Sequence, residues 1–153
     1  MLFDLHVHTN HSDGFFTPEK VVDLALERNL RGIAITDHDT VSAIEIAVQY
    51  SKKYNNFTVI PGIEFSTLHN NEEVHILGYF INPSDPDILD ITEKLKNSRL
   101  GRGIKMVKKL NDLGIYITID EVIKISGGDL IGRPHIARIL INKGYVTSIE
   151  EAF

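Results

Sequence analysis

The residues best suited to chemistry are histidines and carboxylates spaced along the first half of the chain. His6 and His8 are separated by one residue. Residues 2–8 alternate, with Leu2, Asp4, His6 and His8 pointing one way and Phe3, Leu5 and Val7 the other. That period of two predicts a strand, and it projects both imidazoles from one face. Two imidazoles so placed suit an ion of the Zn, Fe or Mn type. Asp13 follows in the next loop, His38 stands between Asp37 and Asp39, and Glu64 and His75 come later. His6, His8, Asp13, His38, Glu64 and His75 are too many donors for one ion and fit two or three. Close-set divalent ions suit phosphate-ester hydrolysis, in which they activate water and clamp the phosphoryl oxygens. A metal-bound hydroxide would be the nucleophile, with no protein nucleophile. In agreement, the chain has no cysteine, no G-x-S-x-G and no P-loop. Asp37 and Asp39 are expected to orient ligand imidazoles from behind, with helix capping as an alternative for Asp39.

A second group is basic. Arg99 and Arg102 are one helical turn apart, Lys105 follows, and Arg133-Pro134-His135 opens a helix. A helix N-terminus attracts anions through its free N–H groups and dipole. Arg99, Arg102, Arg133 and His135 are therefore candidate phosphate contacts, with a solvated helix face as the alternative for Arg102 and Lys105. His69 sits in a polar loop, and His11 stands beside the site but breaks its pattern; both are left out.

The elements that must position these groups are legible in outline. Thr17 and Pro18 open a helix running to about Asn29 and ended by Arg31-Gly32. Gly14 is expected to let the preceding loop turn sharply. Ile33–Thr36 reads as a strand buried on both faces, ending in Asp37-His38-Asp39. Thr40 or Ser42 caps a helix to about Lys53. A strand over Phe57–Ile60 ends in a Pro61-Gly62 turn before Glu64, and a fourth covers Glu73–Ile81. This β-α-β-α-β-β order argues a parallel sheet or barrel, with functional groups at the C-terminal ends of the strands. From Pro83 the pattern turns helical: a long helix over 86–113 with a possible kink at Gly101 and Gly103, then a capping box at Thr118-Ile119-Asp120-Glu121 opening a helix ended by Gly127 and Gly128. Pro134 begins another helix, stopped by Gly144, and Ser148 caps a last one. The expected organisation is 1–82 as half of a barrel and 83–153 as a helical subdomain.

The bulk numbers bound the function. An apolar content of 42% and a charged content of 24% over 153 residues describe an ordinary globular chain. The net charge of -5 argues against duplex DNA or a membrane surface as partner. There is no run of about 18 apolar residues and no basic, apolar leader at the start. The expected location is the cytoplasm, and nothing calls for an oligomer.

Asp4-Leu5-His6-Val7-His8-Thr9, Ser12-Asp13-Gly14, Thr36-Asp37-His38-Asp39, Pro61-Gly62-Ile63-Glu64 and Val74-His75-Ile76-Leu77 together resemble the PHP family, named for polymerase and histidinol phosphatase. Gly132-Arg133-Pro134-His135-Ile136-Ala137-Arg138, with Arg99 and Arg102, is similar to the branch that contains 3′,5′-nucleoside bisphosphate phosphatases and the exoribonuclease RNase AM. The resemblance implies an α/β fold, the N-terminal portion of a distorted (β/α)₇ barrel with a helical insertion. It implies up to three Mn, Fe or Zn ions, Mn foremost. His6, His8 and Glu64 would hold the first, Asp13 and His38 the second, Glu64 and His75 the third. Arg133 and His135 would contact substrate phosphate. Family members run on beyond this length and add a His-Pro motif and a closing Asp-x-His that do not follow here, so each site would lack a ligand and the chain reads as a fragment of a longer protein.

The expectation is thus a metal-dependent phosphoesterase acting on nucleotides, such as 3′,5′-nucleoside bisphosphates, or on the 5′ ends of short RNA. The alternatives are another PHP phosphatase, such as a histidinol-phosphatase, or a truncated, non-catalytic metal-binding or assembly module.

Overall fold

The computed structural model describes residues 2–127 and 130–153, so Gly128, expected to help end a helix, lies outside the described residues. The chain divides into two compact units, 1–93 and 94–153. The division falls inside a helix that begins at Pro86, eleven residues after the 82/83 boundary at which the sequence changes character.

In the first unit the order is β1 (Phe3–Val7), α1 (Pro18–Glu27), β2 (Gly32–Ile35), α2 (Ile44–Ser51), β3 (Thr58–His69) and β4 (Glu72–Tyr79). The sheet order is β1-β2-β3-β4. β1, β2 and β3 run parallel, with Ile33 beside Asp4 and Val59, and β4 returns antiparallel to β3. β2 reads Gly-Ile-Ala-Ile and is buried throughout, as a β-branched run covered on both faces must be. Its Ile33 and Ile35 join Val21, Val22, Ala25, Ile44, Ala47 and Ile63 in the core.

Several boundaries differ from the sequence reading. α1 stops at Glu27, because Asn29 adopts a left-handed φ of 58° and ends the helix two residues early; Gly32 opens β2. Neither Thr40 nor Ser42 caps α2: its N-cap is Ala43, with no side-chain bond, and Thr40 donates its hydroxyl to Ser42 instead. Pro61-Gly62 is no turn. β3 passes through it, in register with β2 up to Pro61 and with β4 from Gly62. Gly62 fits because a Cβ would sit 2.9 Å from Thr36 Cγ2 and 3.0 Å from the carbonyls of Ile35 and Gly78. The polar loop around His69 is a tight hairpin, with Asn70 and Asn71 at φ 52° and 66°.

β1 and β4 are the sheet's two edges. They carry exposed apolar side chains, Phe3 and Leu5 on β1 and Val74 and Ile76 on β4.

α3 (Pro86–Asp112) is one 27-residue helix that contains Gly101 and Gly103. The second unit continues with α4 (Ile119–Ile125), α5 (Arg133–Asn142) and α6 (Ile149–Ala152). Thr118 forms the expected capping box with Glu121, and Ser148 caps α6. Gly144 follows α5 with φ 75°. A separate core, including Val107, Ile117, Val122, Ile136, Ile139 and Leu140, holds these helices together.

Candidate metal centre

The strand alternation of β1 places His6 and His8 side by side, with ring centroids 5.0 Å apart. The end of β2 brings His38 to within 4.6 Å of the His8 ring, and β4 brings His75 to within 4.8 Å of the His38 ring. Under this row of four imidazoles lies Glu64, only 4% exposed. Its Oε2 is 2.8 Å from Nε2 of both His6 and His8 and 3.6 Å from His38 Nδ1, while its Oε1 is 2.8 Å from His75 Nδ1. Asp13 closes the other side, 2.8 Å from His8 Nδ1 and 3.8 Å from His38 Nε2.

Three groups of donors have atoms within 4.8 Å of one another: His6, His8 and Glu64; His8, Asp13 and His38; His38, Glu64 and His75. All six residues singled out as ligands from the sequence therefore meet. His8 Nε2 provides a test of fit. It is buried and makes no hydrogen bond, although Glu64 Oε2 is 2.8 Å away. Two donors that approach without hydrogen-bond alignment suit lone pairs aimed at a common third point, and nitrogen–oxygen sets of this kind suit Zn, Fe or Mn.

The charges are strongly coupled. Burial works to lower the His8 pKa, but the hydrogen bond to Asp13 and the carboxylates of Asp13, Glu64 and Asp37 outweigh it and hold the imidazole above its usual range. Burial likewise opposes ionisation of Glu64, yet the hydrogen bond with His6 and the positive fields of His38, His8 and His6 keep its carboxyl below the usual range.

The scaffold around the donors was only partly foreseen. Asp37, 1% exposed, does not hydrogen-bond an imidazole as expected. Its carboxylate accepts from Thr9 N and Thr9 Oγ1, each at 2.7 Å, and from Ser12 Oγ. It anchors the loop that carries Asp13. Asp39 accepts from Ser66 N at 2.8 Å and so ties the end of β2 to β3 beyond Glu64. Thr36 Oγ1 accepts from Val7 N at 3.0 Å and joins β1 to β2 just before their ligands. The signal missed was a pair of hydroxyl residues, Thr9 and Ser12, facing an aspartate across the sheet. Gly14 does not turn on a positive φ. It is needed because a Cβ would lie 2.7 Å from the His8 carbonyl oxygen, where the loop folds back on β1. His11 Nδ1 lies 2.7 Å from Ser42 Oγ at the margin of this loop.

The chain matches the model of the PHP domain over residues 4–146. It belongs to the PHP domain family. As a PHP domain it is 34% identical, over all of its length, to the 5′-3′ exoribonuclease Rnm of Salmonella typhimurium, covering 53% of that protein. It is 30% identical to the 3′,5′-nucleoside bisphosphate phosphatase of Chromobacterium violaceum, covering 98% of this chain and 53% of the relative. A solved structure from Bifidobacterium adolescentis, put forward as a metal-dependent phosphoesterase, is 33% identical and superposes with a TM-score of 0.90, covering 99% of this chain and 53% of the other. The chain thus spans about half the length of the curated relatives it matches, and its α/β sheet is part of a PHP barrel.

The basic candidates of this PHP chain lie in the second unit. Arg99 is half-buried, and its Nη1 would lie 3.8 Å from a Cβ at Gly132, at the start of α5. Arg102 is exposed. Arg133 is exposed at the first turn of α5, its guanidinium 5.7 Å from the Phe153 ring, beside a groove of about 310 Å³ lined also by Met106, Leu110 and Ile136. His135 is 2% exposed, and its Nδ1 accepts from Gly132 N at 3.0 Å. One ring nitrogen of His135 is thus committed to capping α5.

Proposed function

We propose that this chain carries the metal centre of a phosphoesterase that hydrolyses phosphomonoesters of nucleotides, such as 3′,5′-nucleoside bisphosphates, or removes nucleotides from the 5′ end of short RNA. The observation that carries the reading is Glu64: one buried carboxylate within 2.8 Å of three imidazoles, common to two of the three donor groups. His6, His8 and Glu64 would hold one divalent ion, Asp13 and His38 a second, and Glu64 and His75 a third, manganese being the metal of choice. Ions held in this way supply an activated water and charge to steady the phosphoryl oxygens. The protein's own share is to set the donors close together, to keep Glu64 ionised, and to fix Asp13 through Asp37.

Support for the nucleotide substrate comes from the relatives named for nucleoside bisphosphate hydrolysis and for 5′-3′ RNA degradation. Arg99, Arg102, Arg133 and His135 are proposed as the contacts to a second phosphate, Arg133 by its bidentate fork. His135 acts there chiefly by fixing the first turn of α5. The expected cytoplasmic location belongs to this proposal. Among the described residues no helix is long and apolar enough to cross a membrane.

The test is hydrolysis of adenosine 3′,5′-bisphosphate, a short 5′-phosphorylated RNA and histidinol phosphate by the full natural polypeptide that carries this sequence, with manganese added. Release of phosphate or mononucleotide from the first two is expected. Turnover of histidinol phosphate alone would move the protein to the other phosphatase reading, and metal binding without any turnover to a non-catalytic module.

A further inference from the structure

One carboxylate beside the centre belongs to none of the three donor groups. Glu73 Oε1 lies 3.7 Å from His75 Nε2, while the other ring nitrogen, Nδ1, is 2.8 Å from Glu64 Oε1. The His75 ring therefore stands between two carboxylates. The arrangement is built into the strand. Glu73 and His75 are two residues apart on β4, so their side chains leave the sheet on the same side, whereas Glu72 points the other way. Both side chains are 35% exposed. His75 is thus less enclosed by its surroundings than His8 or His38, at 20% and 12%, though more so than His6, at 51%.

We propose that Glu73 is a positioning residue for His75: it accepts the Nε2 proton and so keeps Nδ1 as the donor toward the ion shared with Glu64. This rests on the metal-centre reading above and deepens it. A neutral imidazole carries one proton, on one nitrogen or the other. With Nδ1 committed to an ion the proton sits on Nε2, facing Glu73. A carboxylate behind a ligand imidazole fixes its tautomer and ring plane and strengthens it as a donor. The 3.7 Å separation is longer than a direct hydrogen bond, so the pair must close by a few tenths of an ångström or more when an ion binds.

The experiment titrates the protein with Mn²⁺, following free ion by electron paramagnetic resonance, for the wild type, Glu73→Gln, Glu73→Ala and the neighbouring control Glu72→Gln. Loss of a carboxylate behind a ligand histidine costs roughly 10–100-fold in affinity, so one class of ion should bind about tenfold less tightly in both Glu73 variants, with all classes unchanged in the control. Nitrogen-15 spectra with Zn²⁺ bound give a second readout: the His75 Nε2 proton should be slow to exchange in the wild type and lost to exchange in Glu73→Ala. Equal affinities with an unchanged Nε2 signal would overturn the proposal while leaving the metal centre intact. A wild type that binds no Mn²⁺ would remove the metal centre and this proposal together.

Discussion

The backbone of Glu64 is bridged to that of His38 as a parallel strand pair. Asp39 N donates to the Glu64 carbonyl at 3.0 Å, and Glu64 N donates to the Asp37 carbonyl at 3.2 Å. The most central carboxylate and the most central imidazole are thus held by main-chain hydrogen bonds rather than by side-chain packing alone. Because Glu64 belongs to two donor groups and Asp13 to one, their substitutions should differ. Glu64→Gln should reduce the metal content by more than one ion, and Asp13→Asn by one at most. Elemental analysis after gel filtration checks this. Equal losses from the two would mean that Glu64 is not shared.

Metal binding should be proton-linked through His8. Its pKa is raised in the metal-free protein, and a ligand imidazole must be neutral. The ion bound at His8 then displaces a proton, so affinity should rise with pH and keep rising above the usual histidine midpoint of 6.5. For the stability of the metal-free fold the sign is opposite. A raised histidine pKa contributes stability that is present below the unfolded-state value and is lost as pH rises through the folded-state one. Calorimetric titrations between about pH 6 and 8 in buffers of different ionisation enthalpy would detect the released protons; an affinity flat across that range would exclude His8 as a titrating ligand.

Asp37 should matter for folding as well as for metal. Asp37→Ala removes the acceptor of three hydrogen bonds and leaves the buried Thr9 N–H without its carboxylate. A cost on the order of 2–4 kcal/mol is expected, read as a lower urea midpoint, together with a weaker ion at Asp13. Full metal affinity in a destabilised variant would show that the loop keeps its shape without this anchor.

Gly14→Ala should act through steric conflict. The added methyl meets the His8 carbonyl at 2.7 Å and the Thr9 carbonyl carbon at 2.8 Å, both main-chain atoms with little freedom to give way. A loss of about 1–3 kcal/mol in thermal or urea unfolding is expected. No loss would mean that the loop shifts at little cost.

Much of the centre is legible in the order of residues because its chemistry is local. His6 and His8 share a face through the two-residue period of β1, and no tertiary contact is needed to see it. Thr17, Thr118 and Ser148 announce their helices for the same reason, since a cap bonds within its own first turn. Where such a signal failed, a long-range partner had taken the residue. Ser42 is drawn to His11, 31 positions away, instead of capping α2, and Pro61-Gly62 is carried through β3, which pairs with β2 before it and with β4 after it.

The sequence by itself determined which side chains can bind metal, that strands and helices alternate before a helical end, and that no cysteine chemistry is available. Only the tertiary structure decided that Glu64 stands under four imidazoles and that Asp37 serves a loop and not a ring. The physical reason is distance along the chain. Strand period and helix caps act over two to four residues, whereas Glu64 meets His6 across 58 positions and Asp37 meets Thr9 across 28, separations that sheet pairing alone closes.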